Sequence, residues 1–169
     1  GHSMGSLLAL EVATRMSERV AGVALVAAAF PLKVSDALLD ATRADVPSAM
    51  DMINIWSHSA STAAFERKPS NPGPGFSNVW QNLRLMQRIA RRDGPDVLPI
   101  DFAACNSYAG GLAAAQALSC PALFVLGELD SMTPPRSARP LIDAMADATV
   151  VHVAGGGHSL MAERPDDVL

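Results

Sequence analysis

In the opening segment 4–18, apolar side chains at Leu7, Leu8, Leu10, Val12 and Met16 gather toward one face, while Glu11, Arg15 and Glu18 can reach water. That spacing predicts an amphipathic helix laid on a sheet. The next run, AGVALVAAAF, is continuously apolar and bounded by Gly22 and Pro31, which predicts a strand buried on both faces. The same character returns in CPALFVLGELD, which begins near Pro121 and ends in polar residues. Thr133 and Pro134 then offer an N-cap followed by proline at the first helical position, predicting a helix that runs to Ala146. ATVVHVAGGG reads as a third strand with a glycine-rich exit, and a last helix is expected near Arg164. The order helix, strand, long insertion, strand, helix, strand points to an α/β fold with a parallel sheet and right-handed crossovers.

The insertion divides the chain into 1–31, 32–119 and 120–169. Its pattern is helical, with Ser35 and Pro47 as plausible starts, and ERKPSNPGPGFSN, rich in proline and glycine, is its least regular part. In NVWQNLRLMQRIARR, Val79, Leu83, Met86 and Ala90 share a face, while Arg84, Arg88 and Arg91 lie round the other side as a solvated surface. In MDMINIW, the apolar residues Met50, Met52, Ile53, Ile55 and Trp56 are too many for one helical stripe. Packed core and pocket wall both fit that excess.

Composition narrows the function classes. Nearly half of the 169 residues are apolar, enough for one respectable core, and the formal charge of −4 leaves no basic footprint for nucleic acid. No apolar run approaches the length of a membrane span, and the expected location is cytoplasmic. Cys105 and Cys120 lack metal spacing and read as small buried apolar residues. No two of the four histidines stand at i, i+4, so no metal and no cofactor are expected.

The candidate chemistry begins at Gly1-His2-Ser3-Met4-Gly5, which fits the G-x-S-x-G pattern of a serine raised on a strained strand-to-helix turn. Gly1 and Gly5 answer the close passage of strand and helix at such a turn. Taken alone, the motif reads equally well as a helix start capped by Ser3 or Ser6. Asp130 lies beyond the end of the second predicted strand and His158 beyond the end of the third, both at the edge where open parallel sheets gather their sites. Nucleophile, acid and base then run in the order Ser, Asp, His. A serine hydroxyl needs a base to take its proton, and the base needs an acid to hold its tautomer. The backbone N–H of Met4, next after the serine at a helix N-terminus, is a candidate donor to an oxyanion.

Through GHSMG, LGELDSMTPP and GGGHSLMAERPDDV in that order, with a cap-sized insertion between, the chain resembles the C-terminal two-thirds of a single-domain α/β-hydrolase. The resemblance is to the esterase and carboxylesterase-like kind with a helical cap. It implies Ser3 as nucleophile, Asp130 as acid, His158 as base and a small apolar ester-like substrate. It also implies a second oxyanion donor on an early loop and several early strands, which this sequence lacks. The expectation is therefore a chain that begins mid-fold, with roughly one hundred residues before Gly1 in the complete protein. Thioesters, lactones, activated amides, carbon–carbon bonds and perhydrolysis remain open beside carboxylic esters, as does a hydrolase-like ligand-binding receptor with little turnover.

Other polar residues carry smaller expectations. His2 reads as filler of the turn, His152 as a core or edge histidine within a strand, and Glu128 as the rival to Asp130 in the same loop. Ser159 is expected to cap the last helix. Met132 and Met161, which follow the two loops, are pocket-lining or packing residues.

Overall fold

The computed structural model describes residues 1–59 and 74–169. Much of ERKPSNPGPGFSN falls outside those residues, but from Pro74 the chain is already helical. Proline is readily accommodated at a helix start, where its missing N–H would have no intrahelical partner.

Helix α1 (Met4–Arg15) leads through a 3₁₀ turn to strand β1 (Val23–Val26). Four helices follow among the described residues: α2 (Asp36–Ala44), α3 (Val46–Trp56), α4 (Pro74–Asp93) and α5 (Val97–Ser107). Helix α6 (Gly111–Ala117) precedes strand β2 (Ala122–Gly127), α7 (Arg139–Ala144) and strand β3 (Ala148–Val153). Two short helices close the chain, α8 (Leu160–Glu163) and α9 (Pro165–Val168). The strands form one parallel sheet in the order β1-β2-β3, with Val26 beside Val125 and Val125 beside Val151. On the free side of β1, His2 makes a parallel bridge to Val26, so the turn at Ser3 enters from the sheet itself.

The sheet is covered unequally. Leu25, Phe124 and Leu126 face a core shared with Leu7 and Leu10 of α1, Ala114 and Ala115 of α6, and Leu141 of α7. Full enclosure of a leucine or phenylalanine is worth about 1.5–3 kcal/mol. On the opposite face Val125 and Val153 meet Leu160, while Leu123 is 38% and Val151 41% exposed. The expectation of strands buried on both faces is thus met only in part.

Several element boundaries depart from the periodicity. Strand β1 ends at Val26 because Ala27 adopts φ 49°, and the chain from Ala27 to Phe30 stays buried without being extended strand. On α1, Leu7, Leu10 and Ala13 are buried while Leu8, Val12 and Met16 are exposed, so the apolar surface is wider than the contact. The predicted helix up to Ala146 is broken into a 3₁₀ turn, Pro135–Ala138, and α7, which stops at the extended Met145. At the terminus Pro165 keeps Arg164 out of the helical region and splits α8 from α9.

The insertion builds as its local signals direct. Ser35 caps α2 by accepting from the Leu38 N–H, and Asp45 caps α3, with Pro47 in its first turn. Helix α2 packs on α3 and α5, and α3 on α4, whereas α6 lies against α1 and α7 with the sheet-bearing elements. Along α4 Val79, Leu83, Met86 and Ala90 are half-buried, and Arg84, Arg88 and Arg91 are exposed as expected. Among the described residues no helix is long and apolar enough to cross a membrane.

Candidate active site

Ser3 sits between the His2 bridge and α1 with φ 52° and ψ −120°, a conformation that costs an L-residue about 1–3 kcal/mol. The surrounding backbone holds it there: the Ser3 N–H donates to the Val26 carbonyl at 2.9 Å, and the Val26 N–H to the Gly1 carbonyl at 2.8 Å. A Cβ on Gly1 would collide with the Gly5 carbonyl, so the turn requires glycine at that position. Gly5 has open space around it and does not share the requirement. Neither serine caps the helix. Ser3 makes no cap bond, and the buried Ser6 hydroxyl lies 2.9 Å from both the Gly1 and Val26 carbonyls, tying helix to strand.

The loops after β2 and β3 meet beyond the same sheet edge. His158 is 4% exposed, and its Nδ1 lies 2.8 Å from Asp130 Oδ2. Asp130, equally buried, also accepts at Oδ1 from the N–H groups of Met132 (2.9 Å) and Thr133 (2.8 Å). The Thr133 hydroxyl stands 2.7 Å from Asp130 Oδ2, 2.9 Å from the Ala27 carbonyl and 3.0 Å from His158 Nδ1. Thr133 is therefore no helix cap; it belongs to the acid–base pair, a role the Thr-Pro pattern concealed. The available signal was its place three residues after Asp130, within reach of a carboxylate that bonds backbone just ahead of it. Glu128, the rival acid, is exposed, as is His152 on β3.

His2 does more than fill the turn. Its Nε2 donates to the His158 carbonyl at 2.7 Å, and the two rings lie 4.8 Å apart. Burial, and then the neighbouring His158, hold the His2 imidazole below its ordinary pKa.

Ser3, Met4 and His158 all open on a cavity of about 630 Å³. The helices between β1 and β2 supply much of its apolar wall, through Ile53, Trp56, Met86, Leu98 and Phe102. MDMINIW thus divides between wall and core: Ile53 and Trp56 line the cavity, Met50 is buried, Ile55 is exposed, and Met52 lies outside the lining. Met132 lines it, whereas Met161 is exposed elsewhere. Ser159 lines it too, but its side chain makes no cap bond to α8. Cys105 borders the space as a buried thiol, pushed up to about 11 by burial and then by the Asp101 charge, and Cys120 is half-buried. Among the described residues no group of three or more His, Cys, Asp or Glu side chains could hold a metal ion. Met4, at the start of α1, lines the cavity beside Ser3, and its N–H makes no backbone hydrogen bond among the described residues.

Chemically, a neutral His158 that donates from Nδ1 to Asp130 presents Nε2 as an acceptor. Such a ring can take a proton from a hydroxyl brought to it.

No curated protein sequence matches significantly. Among solved structures the chain is similar to a thermophilic esterase (20% identity, TM-score 0.74) and to an enol-lactonase from Burkholderia xenovorans LB400 (22%, 0.75), covering 99% of this chain and 60% of each of those. It is also similar to a bromoperoxidase from Bacillus anthracis (19%, 0.78), covering 99% of this chain and 62% of that one. The chain spans about 60% of the length of these neighbours, and identities at this level carry the fold alone. A model of the Alpha/beta hydrolase family matches residues 1–169. Because that match extends along the entire chain, and the parallel sheet and its helices agree with it, the chain belongs to the alpha/beta hydrolase family.

Proposed function

We propose that this chain carries the catalytic residues of a serine hydrolase that cleaves a carboxylic ester, or a related acyl bond, through an acyl-enzyme. Ser3 is the nucleophile, His158 the general base and then acid, and Asp130 the group that orients the imidazole. The observation that carries this reading is the buried 2.8 Å pair of His158 Nδ1 and Asp130 Oδ2, in a residue that opens on the same cavity as Ser3.

As Ser3 Oγ attacks the acyl carbon, its proton passes to His158 Nε2, and the Asp130 carboxylate stabilises the imidazolium across the Nδ1–H bond. Charge gathers on the carbonyl oxygen, where the Met4 N–H is one donor. The leaving alcohol takes the proton from His158, and water, activated by the same ring, then releases the acid. Helices α2–α5 act as a lid whose apolar wall receives a small to medium acyl or alcohol group.

The test uses the full-length protein, a fluorophosphonate probe and p-nitrophenyl esters. Wild type should be labelled at one serine and turn over the ester, while Ser3→Ala loses the label and lowers kcat by about 10⁴–10⁶. Wild-type turnover in Ser3→Ala would sink the mechanism. Tight ligand binding without labelling or turnover by wild type would favour a receptor.

A further inference from the structure

The stretch that carries His158 has little regular structure to hold it. Between the end of β3 at Val153 and the start of α8 at Leu160 run Ala154, three glycines, His158 and Ser159. Glycines admit many backbone conformations, yet a general base must be held in one.

One side chain gathers this loop from outside. Glu163, half-buried on α8, accepts from the Gly157 N–H at 3.1 Å through Oε1 and from the Ser59 N–H at 2.8 Å through Oε2. Both are bonds to a carboxylate, the stronger class of hydrogen bond when it is ionised. Ser59, 1% exposed, follows α3, the helix whose Trp56 and Ser57 reach the cavity. Two further bonds run alongside: the Ser159 N–H donates to the Ser57 carbonyl at 2.7 Å, and the Ser131 hydroxyl to the Trp56 carbonyl at 3.0 Å.

The backbones meet with no side chain between them. A Cβ on Gly157 would overlap the Ser59 nitrogen and the Glu163 carboxylate, and one on Gly127 would overlap the Gly156 and Gly157 carbonyls. The end of β2, the base loop and the end of α3 are thus stacked, and Glu163 joins the latter two.

We propose that Glu163 is a positioning residue for His158, fixing the Gly157–His158 backbone against the end of α3 so that the cavity wall and the imidazole are set by one carboxylate. The proposal rests on the reading of His158 as the base. A carboxylate suits the place because the Gly157 and Ser59 groups that it joins are both N–H donors. Glutamine keeps one acceptor and turns an NH₂ toward the other donor, and alanine keeps neither.

The test compares wild type, Glu163→Ala and Glu163→Gln in the full-length protein. It measures the rate constant and endpoint of fluorophosphonate labelling, kcat and KM for a short p-nitrophenyl ester, and amide exchange at Ser59 and Gly157. Glu163→Ala should label to completion with a rate constant and kcat lowered roughly 10- to 100-fold at unchanged KM. Glu163→Gln should fall between it and wild type, and both amides should exchange faster together. A wild-type rate constant with a full endpoint, or a reduced endpoint at unchanged rate constant, assigns Glu163 to stability alone and overturns the proposal. If Glu163→Ala does not fold, Glu163→Gln decides: a wild-type labelling rate overturns it. If wild type itself is not labelled, the hydrolase reading fails separately. Exchange then judges the link: joint loss of protection at Ser59 and Gly157 supports it, and loss at one or neither overturns it.

Discussion

At Thr133 a single hydroxyl touches the acid, the base and the strained Ala27 that ends β1. Replacing Thr133 with valine keeps the shape, removes a partner from Asp130 Oδ2 and leaves the Ala27 carbonyl unpaired, so stability should fall by about 1–3 kcal/mol. Urea unfolding checks this, and kcat should drop while Thr133→Ser restores both. Ser3, Asp130 and His158 were legible because motif and strand ends announced them. Thr133, Ser6 and Glu163 were not, because each acts through partners brought close by folding. By local pattern Ser6 reads only as a cap, and its partner at Val26 lies 20 residues away.

Among the elements, α3 shows how a stretch of excess apolar residues is sorted. Its pattern offers five large side chains, with Met52 and Trp56 expected to set chain-length preference, and for Met52 the structure corrects that expectation. The packing of α3 on α2 and α4 turns Ile53 and Trp56 to the cavity and leaves Met52 out of the lining. Trp56→Ala or Ile53→Ala should therefore change the ratio of kcat/KM for long and short p-nitrophenyl esters about tenfold or more, the scale of one or two methylenes in an apolar pocket. Met52→Ala is the control and should leave that ratio near wild type. Equal loss on every ester would mean damaged folding instead of altered fit. The break at Ala27 follows the same logic: apolar character persists through Phe30, but the backbone turns at Ala27, whose carbonyl accepts from Thr133 in the loop after β2.

For the molecule as a whole, His2 couples the folded state to pH. Its folded pKa is depressed below the ordinary 6.5, so as pH falls past that value the unfolded chain takes up a proton that the folded chain refuses. The contribution is fully present above about 6.5 and is lost below it, down to the lowered folded value. The urea midpoint should therefore decline from pH 7.5 to 5.5, and His2→Asn should flatten part of that decline.

The sequence by itself determined the order of helices and strands, the parallel α/β class and the three side chains of the proposed chemistry, because periodicity, capping and motif spacing are local properties. Only the tertiary structure decided which apolar positions are covered, what else touches the acid and the base, and what bonds to the loop of His158. Leu8 and Leu10 are equally apolar, yet one is 57% exposed and the other fully buried, since burial depends on what packs opposite. The bond from Ser59 to Glu163 crosses 104 residues, and no local pattern records a contact that exists only when the chain returns upon itself.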